Sequence, residues 1–307
     1  MEIRVETRDV ERGVTLVASE YMEYDLNLVL LDRGMRVLLD TSTSYHIPRI
    51  CEVVGLPHVA VISHSHEDHA GGSGFLASKG VITVAHRITA GFLADARTAV
   101  DSFFPDYVRR NLSEGERVRL EEVFTKSLGE PKVTSTDLKV EGVQCLPGFG
   151  HTLGSILCRV GEVLFTADSI QGEGIRGRES RLWNMPQVVS MRDYLVTLGR
   201  VARMKVETLI PAHNYLPSTS RLIQGSEADK FVHSSLESAL RLLEIGESIL
   251  NEEPLTLREF ARRLSKEYNG RDSVYGGALV TGKAILDYFR PVIKRVKEGD
   301  VVLYHIP

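Results

Sequence analysis

Short apolar segments separated by polar turns dominate the first third of the chain. The segments with strand character lie at 14–18, 27–32, 36–40 and 58–63. The last of them is almost continuously apolar, which is typical of a strand buried on both faces. Between these segments Ile50, Val53 and Val54 recur at helical spacing and end at Gly55, which predicts a short helix. The alternation favours sheets covered by helices over a helical bundle.

Residues 87–130 follow a different pattern. Apolar positions between Phe92 and Phe104 recur at helical spacing, and 114–128 is a charged amphipathic stretch. We therefore predict a mostly helical insertion. Phe103, Phe104 and Tyr107 would give it an apolar surface, so we expect a lid over a substrate with some hydrophobic body.

Strand patterns return after the insertion, and helical patterns follow them. The predicted strands lie at 138–140, 143–146, 156–160, 163–166 and 208–210. After about residue 225 the pattern is helical. A capping box at 256–259 starts one helix that closes near Gly270, and a second pattern runs over 275–296 with a break at Pro291 before a last strand at 301–304. We predict a domain at 1–225 and a C-terminal helical module at 226–307.

Bulk properties narrow the class of protein. The chain has 307 residues, of which 43% are hydrophobic and 25% charged, as in a globular protein with a substantial core. The net charge of -4 argues against strong overall attraction to nucleic acid. Three scattered cysteines form no disulfide framework, and no apolar run reaches the roughly 18 residues of a membrane span. We expect a cytoplasmic protein without membrane contact.

One loop concentrates the residues that carry chemistry. The sequence SHSHEDHAGG at 63–72 follows the buried strand directly and places His64, His66, Asp68 and His69 within six residues. Imidazole and carboxylate are the groups that bind zinc and related metals. His64 and His66 alternate along an extended loop, whereas Asp68 and His69 open a short helix and can face a second position. One loop can therefore supply ligands to two metal ions.

Three further polar residues stand at the ends of other predicted strands. His151 lies in a glycine-rich turn between two strands, Asp168 closes the strand at 163–166, and His213 follows the strand at 208–210. Each alone would be an ordinary polar loop residue. Their shared position at strand ends predicts one common site with the loop at 63–72.

These residues resemble the motifs of the metallo-β-lactamase superfamily, in its glyoxalase II-like branch. The family motif H-x-H-x-D-H is intact, and the downstream histidine, aspartate and histidine follow in the family's order over about residues 10–220. The resemblance implies an αββα sandwich with the site along one edge of its two sheets. The implied ligands of the first metal are His64, His66 and His151, those of the second are Asp68, His69 and His213, and Asp168 bridges both. Asp40 resembles the family's early acidic residue and is a candidate acceptor for the second ring nitrogen of a ligand histidine.

The implied chemistry is metal-dependent hydrolysis. Two divalent ions that share a water lower its pKa and provide a bridging hydroxide as nucleophile, which Asp68 would orient. The hypothesis is a dinuclear hydrolase of an ester-type bond in a small molecule: a thioester, carboxylic ester, lactone or phosphoester. Zinc is the expected metal, with iron or manganese as alternatives.

Other functions stay open at this stage. The first is an endoribonuclease or phosphodiesterase of the same superfamily. A flavodiiron-type oxidoreductase is disfavoured because relatives of that type have Glu where this chain has His66. The C-terminal module resembles the winged-helix-like tail of some relatives, so a nucleic-acid-binding module is a further alternative. Its acidic residues instead favour a role in packing, in forming a homodimer or in lining the substrate cleft.

Overall fold

The computed structural model describes residues 3–22, 24–177, 182–218, 220–299 and 301–307. The strands of the first half are β1 (Val5–Glu11), β2 (Val14–Tyr21), β3 (Tyr24–Arg33), β4 (Met35–Leu39), β5 (Val59–Ile62) and β6 (Ile82–Ala85). The helices among and after them are α1 (His46–Val54), α2 (Glu67–Ala70), α3 (Ser73–Ser78), α4 (Arg87–Phe92), α5 (Ala96–Phe103), α6 (Asp106–Asn111) and α7 (Glu114–Leu128). The run of four helices from α4 to α7 is the helical insertion that the sequence predicts.

The second half contains shorter strands and longer helices. Its strands are β7 (Gln144–Pro147), β8 (Ile156–Val160), β9 (Val163–Ala167), β10 (Gly174–Arg176), β11 (Leu182–Asn184), β12 (Thr208–Pro211), β13 (Tyr215–Leu216), β14 (Ile223–Gln224), β15 (Lys294–Glu298) and β16 (Val301–His305). Its helices are α8 (Met191–Val201), α9 (Ser226–Glu252), α10 (Leu257–Asn269) and α11 (Gly276–Tyr288). Three helices followed by the β15–β16 hairpin form the C-terminal module, in the order expected of a winged-helix-like unit.

Two mixed sheets form the centre of the molecule. The first has six strands in the order β1-β2-β3-β4-β5-β6, antiparallel up to β4 and parallel from β4 to β6. The second has five strands in the order β14-β12-β9-β8-β7, with β9 and β12 parallel. Two smaller sheets are β11-β10-β13 and β15-β16.

Side chains that alternate along the strands pack the molecule into four layers, with the two sheets between two layers of helices. Val29 on β3 and Phe165 on β9 belong to one buried cluster that lies between the two sheets. Their neighbours point the other way, as successive residues of a strand do. Leu28 packs with α1 and α3 outside the first sheet, and Leu164 packs with α8 outside the second. The fold is therefore the αββα sandwich that the sequence resemblance implies.

The C-terminal module shares its core with the rest of the chain. One buried cluster joins Phe104 of the insertion and Tyr194 of α8 to Leu242, Phe260 and Leu279 of the three C-terminal helices. Helix α11 is buried along most of its length. Among the described residues, none of the helices combines the length and hydropathy that a bilayer-spanning segment needs.

Two predicted elements are wrong. The segment 138–140 makes only an isolated bridge, from Val140 to Val143 across a tight turn at Gly142, whose φ is 77°. The helical pattern over 275–296 ends at Tyr288, before Pro291, and the rest of it forms β15. Strand β1 is not predicted because most of its side chains are exposed and show no apolar alternation.

Candidate metal centre

The predicted ligands lie on loops at one edge of the two sheets. β5 ends at Ile62 and leads into the histidine-rich loop and α2, while β9 and β12 end directly before Asp168 and shortly before His213. His151 lies on the loop between β7 and β8. Because β9 and β12 run parallel, their carboxyl ends meet at the same edge. The structure brings all seven side chains together there, and each is buried.

The first group of ligand atoms is formed by three imidazoles. Nε2 of His151 lies 3.2 Å from Nε2 of His64 and 3.0 Å from Nδ1 of His66. Oδ2 of Asp168 lies 3.4 Å from Nε2 of His151 and 3.8 Å from Nε2 of His64. These four residues together can hold one metal ion.

The second group lies on the other side of Asp168. Nε2 of His213 is 3.3 Å from Oδ2 of Asp68, and Nε2 of His69 is 3.6 Å from Oδ1 of Asp68. Asp68, His69 and His213 can hold a second ion. Asp168 also reaches this group, since its Oδ1 is 3.4 Å from Nε2 of His213 and its Oδ2 is 3.5 Å from Nε2 of His69. The position of Asp168 is that of a bridging carboxylate.

Asp40 connects the second group to the strand behind it. Its Oδ2 accepts a hydrogen bond of 2.7 Å from Nδ1 of His69. The backbone N–H and the hydroxyl of Ser63 also donate to the Asp40 carboxylate, at 2.7 and 2.9 Å. The Ser63 hydroxyl lies 2.9 Å from Nδ1 of His64. Asp40 therefore fixes the ring of His69 so that Nε2 faces the other ligands.

Two further histidines are oriented by backbone carbonyls that the sequence does not reveal. Nδ1 of His151 donates to the carbonyl of Gln187 at 2.7 Å, and Nδ1 of His213 donates to the carbonyl of Asp25 at 2.9 Å. With Nδ1 as the donor, the neutral form of either ring has its lone pair on Nε2, the atom that faces the site and that a metal would take. The side chain of Gln171 reinforces the first of these contacts by donating to the same Gln187 carbonyl at 2.8 Å.

The electrostatics of the first group favour neutral imidazoles. Burial, followed by the neighbouring histidines, lowers the pKa of His64 and of His66 well below the ordinary value, and burial lowers the pKa of His151. A neutral imidazole presents the lone pair that a metal ion needs.

The second group attracts positive charge. Burial lowers the pKa of His213, but the Asp168 carboxylate outweighs it and raises this pKa to about 10. The pKa of His69 is likewise raised well above its ordinary value, because Asp68, Asp168 and Asp40 outweigh burial. Burial raises the pKa of Asp68, and His69 and His213 nevertheless hold it at about 2. The carboxylates that attract a proton to these rings would equally stabilise a divalent cation.

Two buried polar atoms without partners indicate whether metal ions fit this group of side chains. Nε2 of His69 and Oδ1 of Asp168 are fully buried and have no hydrogen-bond partner among the described residues. Such atoms are costly unless a partner or an ion satisfies them. Both face the convergence point of the seven side chains. The residues present therefore fit a pair of metal ions.

A cavity of about 330 Å³ opens onto the ligands. One wall belongs to the insertion and includes Phe103, Phe104 and Phe124, and another belongs to the C-terminal module, at Tyr275 and the first turn of α11. The volume is at the lower end of the range for small-molecule sites. Aromatic rings border the metal end directly, since Phe103 makes an edge-to-face contact with His66, with ring centroids 4.3 Å apart.

Other predicted residues occupy varied positions. Phe103 and Phe104 line the cavity, as expected of a lid. Tyr107 does not line it, contrary to the prediction, because its ring packs against the core beside α11. His86 follows β6, where a histidine could border a substrate, but it caps α4, lies tilted against Phe149 and does not line the cavity. Arg178 and Arg181 belong to a stretch rich in Gly and Arg after Asp168 that could bind an anion, and both lie outside the described residues.

Two more buried groups, Tyr215 and Glu67, border the metal ligands. Tyr215 lines the cavity, and burial and the Asp168 carboxylate raise its pKa well above the ordinary value, so its hydroxyl stays protonated and can donate. Burial, followed by the Asp68 carboxylate, raises the pKa of Glu67 well above its ordinary value, and the Tyr21 hydroxyl donates to Glu67 at 3.3 Å.

Comparison with known sequences identifies a family. The model of the metallo-beta-lactamase superfamily matches residues 29–213, a range that contains all seven candidate ligands. A probable metallo-hydrolase of Methanocaldococcus jannaschii is 24% identical over 204 residues, which is 62% of this chain and 88% of that protein.

Comparison with solved structures shows the same fold. A metallo-beta-lactamase family protein of Thermus thermophilus superposes with a TM-score of 0.74 at 19% identity, covering 97% of this chain and 99% of that one. A beta-lactamase domain protein of Burkholderia ambifaria gives a TM-score of 0.73 at 16% identity, covering 98% and 94%. Both matches extend over nearly the whole chain, so these proteins share the fold of the C-terminal module as well as the sandwich.

Proposed function

The chain belongs to the metallo-beta-lactamase superfamily and is a metal-dependent hydrolase, and we propose that it is a dinuclear enzyme that cleaves an ester-type bond in a small molecule. The observation that carries the proposal is the convergence of seven buried ligand side chains in two adjoining groups with Asp168 between them. When bound, two divalent ions would supply Lewis acidity and lower the pKa of water at the site.

The side chains of this chain would divide the work. His64, His66 and His151 would hold the first ion, and Asp68, His69 and His213 would hold the second, with Asp168 shared. Asp68 is ionised at neutral pH because its pKa is about 2. Its carboxylate can therefore accept a hydrogen bond from the attacking water and orient it. Tyr215 offers a protonated hydroxyl at the cavity wall, which can donate to an oxygen that gains negative charge.

The cavity supports a small-molecule substrate. It is closed on two sides by the insertion and the C-terminal module, and its walls are mainly aromatic and apolar away from the ligands. Such walls suit an ester, thioester or lactone with a hydrophobic part, and also a small phosphoester. Zinc is the metal we propose, because imidazole with a minority of carboxylates is its usual donor set. Iron and manganese accept the same donors.

The C-terminal module does not favour nucleic-acid binding as the main function. In a helix-turn-helix unit one helix must enter the groove with an exposed face. Here the last helix, α11, is buried, and Thr281 donates to the carbonyl of Pro186 at 2.9 Å while accepting from the N–H of Val188 at 3.0 Å. We propose that the module is a wall of the substrate cavity.

The experiment that tests the proposal loads the full chain with zinc, manganese or iron and measures bound metal and hydrolysis. The substrate panel contains carboxylic esters, thioesters, lactones, phosphodiesters and single-stranded RNA. We expect about two equivalents of metal and hydrolysis of at least one small ester-type class. His66→Ala should lose the metal of the first group and reduce kcat/KM by at least about 100-fold.

A matched control separates this effect from general damage. His233 is exposed on α9, and among the described residues its ring donates one hydrogen bond, to the carbonyl of Asp229 in its own helix. His233→Ala should keep both metal content and activity. Full activity of His66→Ala, or a wild-type protein that binds no metal, would contradict the proposal. Cleavage of RNA alone would favour the ribonuclease alternative.

A further inference from the structure

An aromatic wall leads from the metal ligands to helix α7. Phe103 makes an edge-to-face contact with His66, and the ring of Phe124 lies tilted against that of Phe103 with centroids 4.1 Å apart. All three residues line the cavity. A substrate whose scissile bond lies at the ligands would therefore place its next atoms against Phe103 and Phe124.

One face of α7 continues this wall and ends in a positive charge. Arg119, Leu120, Val123 and Phe124 line the cavity, and their spacing puts them on one side of the helix. At a rise of about 1.5 Å per residue, Arg119 lies about 7 to 8 Å along the helix axis from Phe124. The guanidinium thus marks the end of the wall that is remote from the ligands.

The charge of Arg119 is not neutralised by its helix. Glu116 accepts from the backbone N–H of Ser113 and pairs with Arg258 at 3.5 Å. Glu121 pairs with Arg109, also at 3.5 Å. Within the part of the chain that the structure describes, the Arg119 guanidinium has no hydrogen bond or ion pair.

The carboxylates of the cavity all lie at its other end. Among the described lining residues the acidic ones are Glu67, Asp68 and Asp168, which belong to the metal centre or adjoin it. A second arginine of the lining, Arg271, lies on the side of the C-terminal module, donates to the side chain of Asn184 at 2.7 Å and lies over the ring of Tyr275. Along the wall that α7 forms, the order is therefore metal ligands, aromatic rings and Arg119. A ligand that matches this order is reactive at one end, apolar in the middle and anionic at the other end.

We infer that the substrate carries an anionic group, a carboxylate or a phosphate, separated from the scissile ester-type bond by an apolar body, and that Arg119 binds this anion. Arg119 is a specificity-determining residue on this account. The inference rests on the proposed hydrolase function and adds the substrate class to it. A guanidinium offers two parallel N–H donors to either anion. Because Arg119 is exposed, its contribution should weaken as salt concentration rises.

The test uses three 4-nitrophenyl esters of straight-chain acids of equal length. The chain ends in a methyl group in the first, a carboxylate in the second and a phosphate in the third. Each is assayed with the zinc-loaded wild type, Arg119→Gln, Arg119→Lys and the control Arg117→Gln. Arg117 is an exposed arginine on the same helix and lies outside the cavity lining.

We expect the wild type to prefer one of the two anionic esters over the neutral one by about tenfold or more in kcat/KM. Arg119→Gln should remove this preference by lowering kcat/KM for the preferred anionic ester to about the value for the neutral ester. Arg119→Lys should keep part of it, and Arg117→Gln all of it. The carboxylate and phosphate arms identify which anion the site takes. Equal preference in the wild type and in Arg119→Gln would overturn the inference.

A binding measurement keeps this test separate from that of the hydrolase proposal. Non-hydrolysable amides with the same three chain ends are titrated calorimetrically into the zinc-loaded proteins. Tighter binding of an anionic amide by the wild type, lost in Arg119→Gln, supports the inference even if no ester is hydrolysed. Equal binding of all three amides overturns it, whether or not the esters are cleaved.

Discussion

Asp40 illustrates how one buried carboxylate prepares a metal ligand. It is fully buried, has a φ of 66°, and binds both Ser63 and His69. Positive φ is unfavourable for most side chains but is tolerated by Asp and Asn. An aspartate can therefore adopt the positive φ at position 40, and in this conformation its carboxylate faces His69.

Replacing Asp40 by Asn should weaken metal binding and preserve the fold. Asn keeps the size and the backbone conformation, but its neutral amide no longer favours the Nδ1–H form of His69. We expect a fall in zinc affinity of about 10- to 100-fold, measured by competition with a chelator. The exposed Asp229→Asn on α9 serves as control and should bind zinc like the wild type. Unchanged affinity of Asp40→Asn would show that Asp40 does not act through His69.

His46 provides a pH-dependent contribution to stability away from the metal centre. It is buried between Thr43, the carbonyl of Glu20 and the rings of Tyr21 and Tyr45. Burial lowers its pKa below the ordinary value of 6.5. The unfolded chain therefore takes up a proton at higher pH than the folded chain, and stability falls as the pH drops below 6.5.

His46→Gln should remove this part of the pH dependence. Urea unfolding of both proteins at about pH 8 and about pH 5 gives the change in the free energy of unfolding. The wild type should lose more stability between the two pH values than the variant, because the other histidines are common to both. An identical loss in both proteins would contradict this role of His46.

The sequence identifies site residues to different extents. Side chains such as His66 and Asp40 stand out because residue type and position at a strand end carry a signal. The carbonyls of Asp25 and Gln187 orient two histidines, yet a backbone carbonyl is the same for every residue and leaves no trace in the sequence. Arg119 looks like any charged residue of an amphipathic helix until the cavity shows which way it faces.

At the scale of elements, close packing holds the loop of the metal centre in place. Helix α3 follows this loop, and a Cβ on its Gly74 would lie 1.8 Å from the carbonyl oxygen of Glu130. Only glycine fits between α3 and the segment that follows the insertion. The insertion is thereby anchored next to the residues that it covers.

Gly74→Ala should consequently destabilise the protein by about 1 to 3 kcal/mol or more, since the backbone must shift to admit a methyl group. Gly115→Ala, in the first turn of α7 with no atom within 4 Å of the new methyl group, is the matched control. It should leave stability unchanged or raise it by up to about 1 kcal/mol. Chemical denaturation measures both, and an equal effect of the two substitutions would contradict the packing argument.

Elements with a strong apolar pattern are predictable, and those fixed by distant contacts are not. β8 and α10 have the bounds that alternation and capping residues indicate, to within a residue. The sequence predicts helix where β15 forms, because Val292, Ile293 and Val296 fit a helical spacing. Pairing with β16 decides the outcome, and that contact depends on the chain turning back at Gly299, whose φ is 62°.

At the scale of the whole molecule, the C-terminal module completes both the core and the cavity. The buried cluster that it shares with the insertion and α8 would be exposed without it. We predict that a chain ending at residue 225 does not unfold cooperatively. Calorimetry of the truncated and full-length chains checks this, and a truncated chain with the same Tm as the full chain would show that 1–225 is an independent domain.

The central claim is that seven side chains hold two metal ions side by side, and a zinc-loaded crystal tests it most directly. Diffraction at the zinc absorption edge should show two anomalous peaks about 3.5 to 4 Å apart. One should lie about 2.0 to 2.1 Å from Nε2 of His64, Nδ1 of His66 and Nε2 of His151, and the other at the same distance from the Nε2 atoms of His69 and His213. Zinc bound elsewhere, or His151, Asp168 and His213 turned away from the histidine-rich loop, would contradict the account.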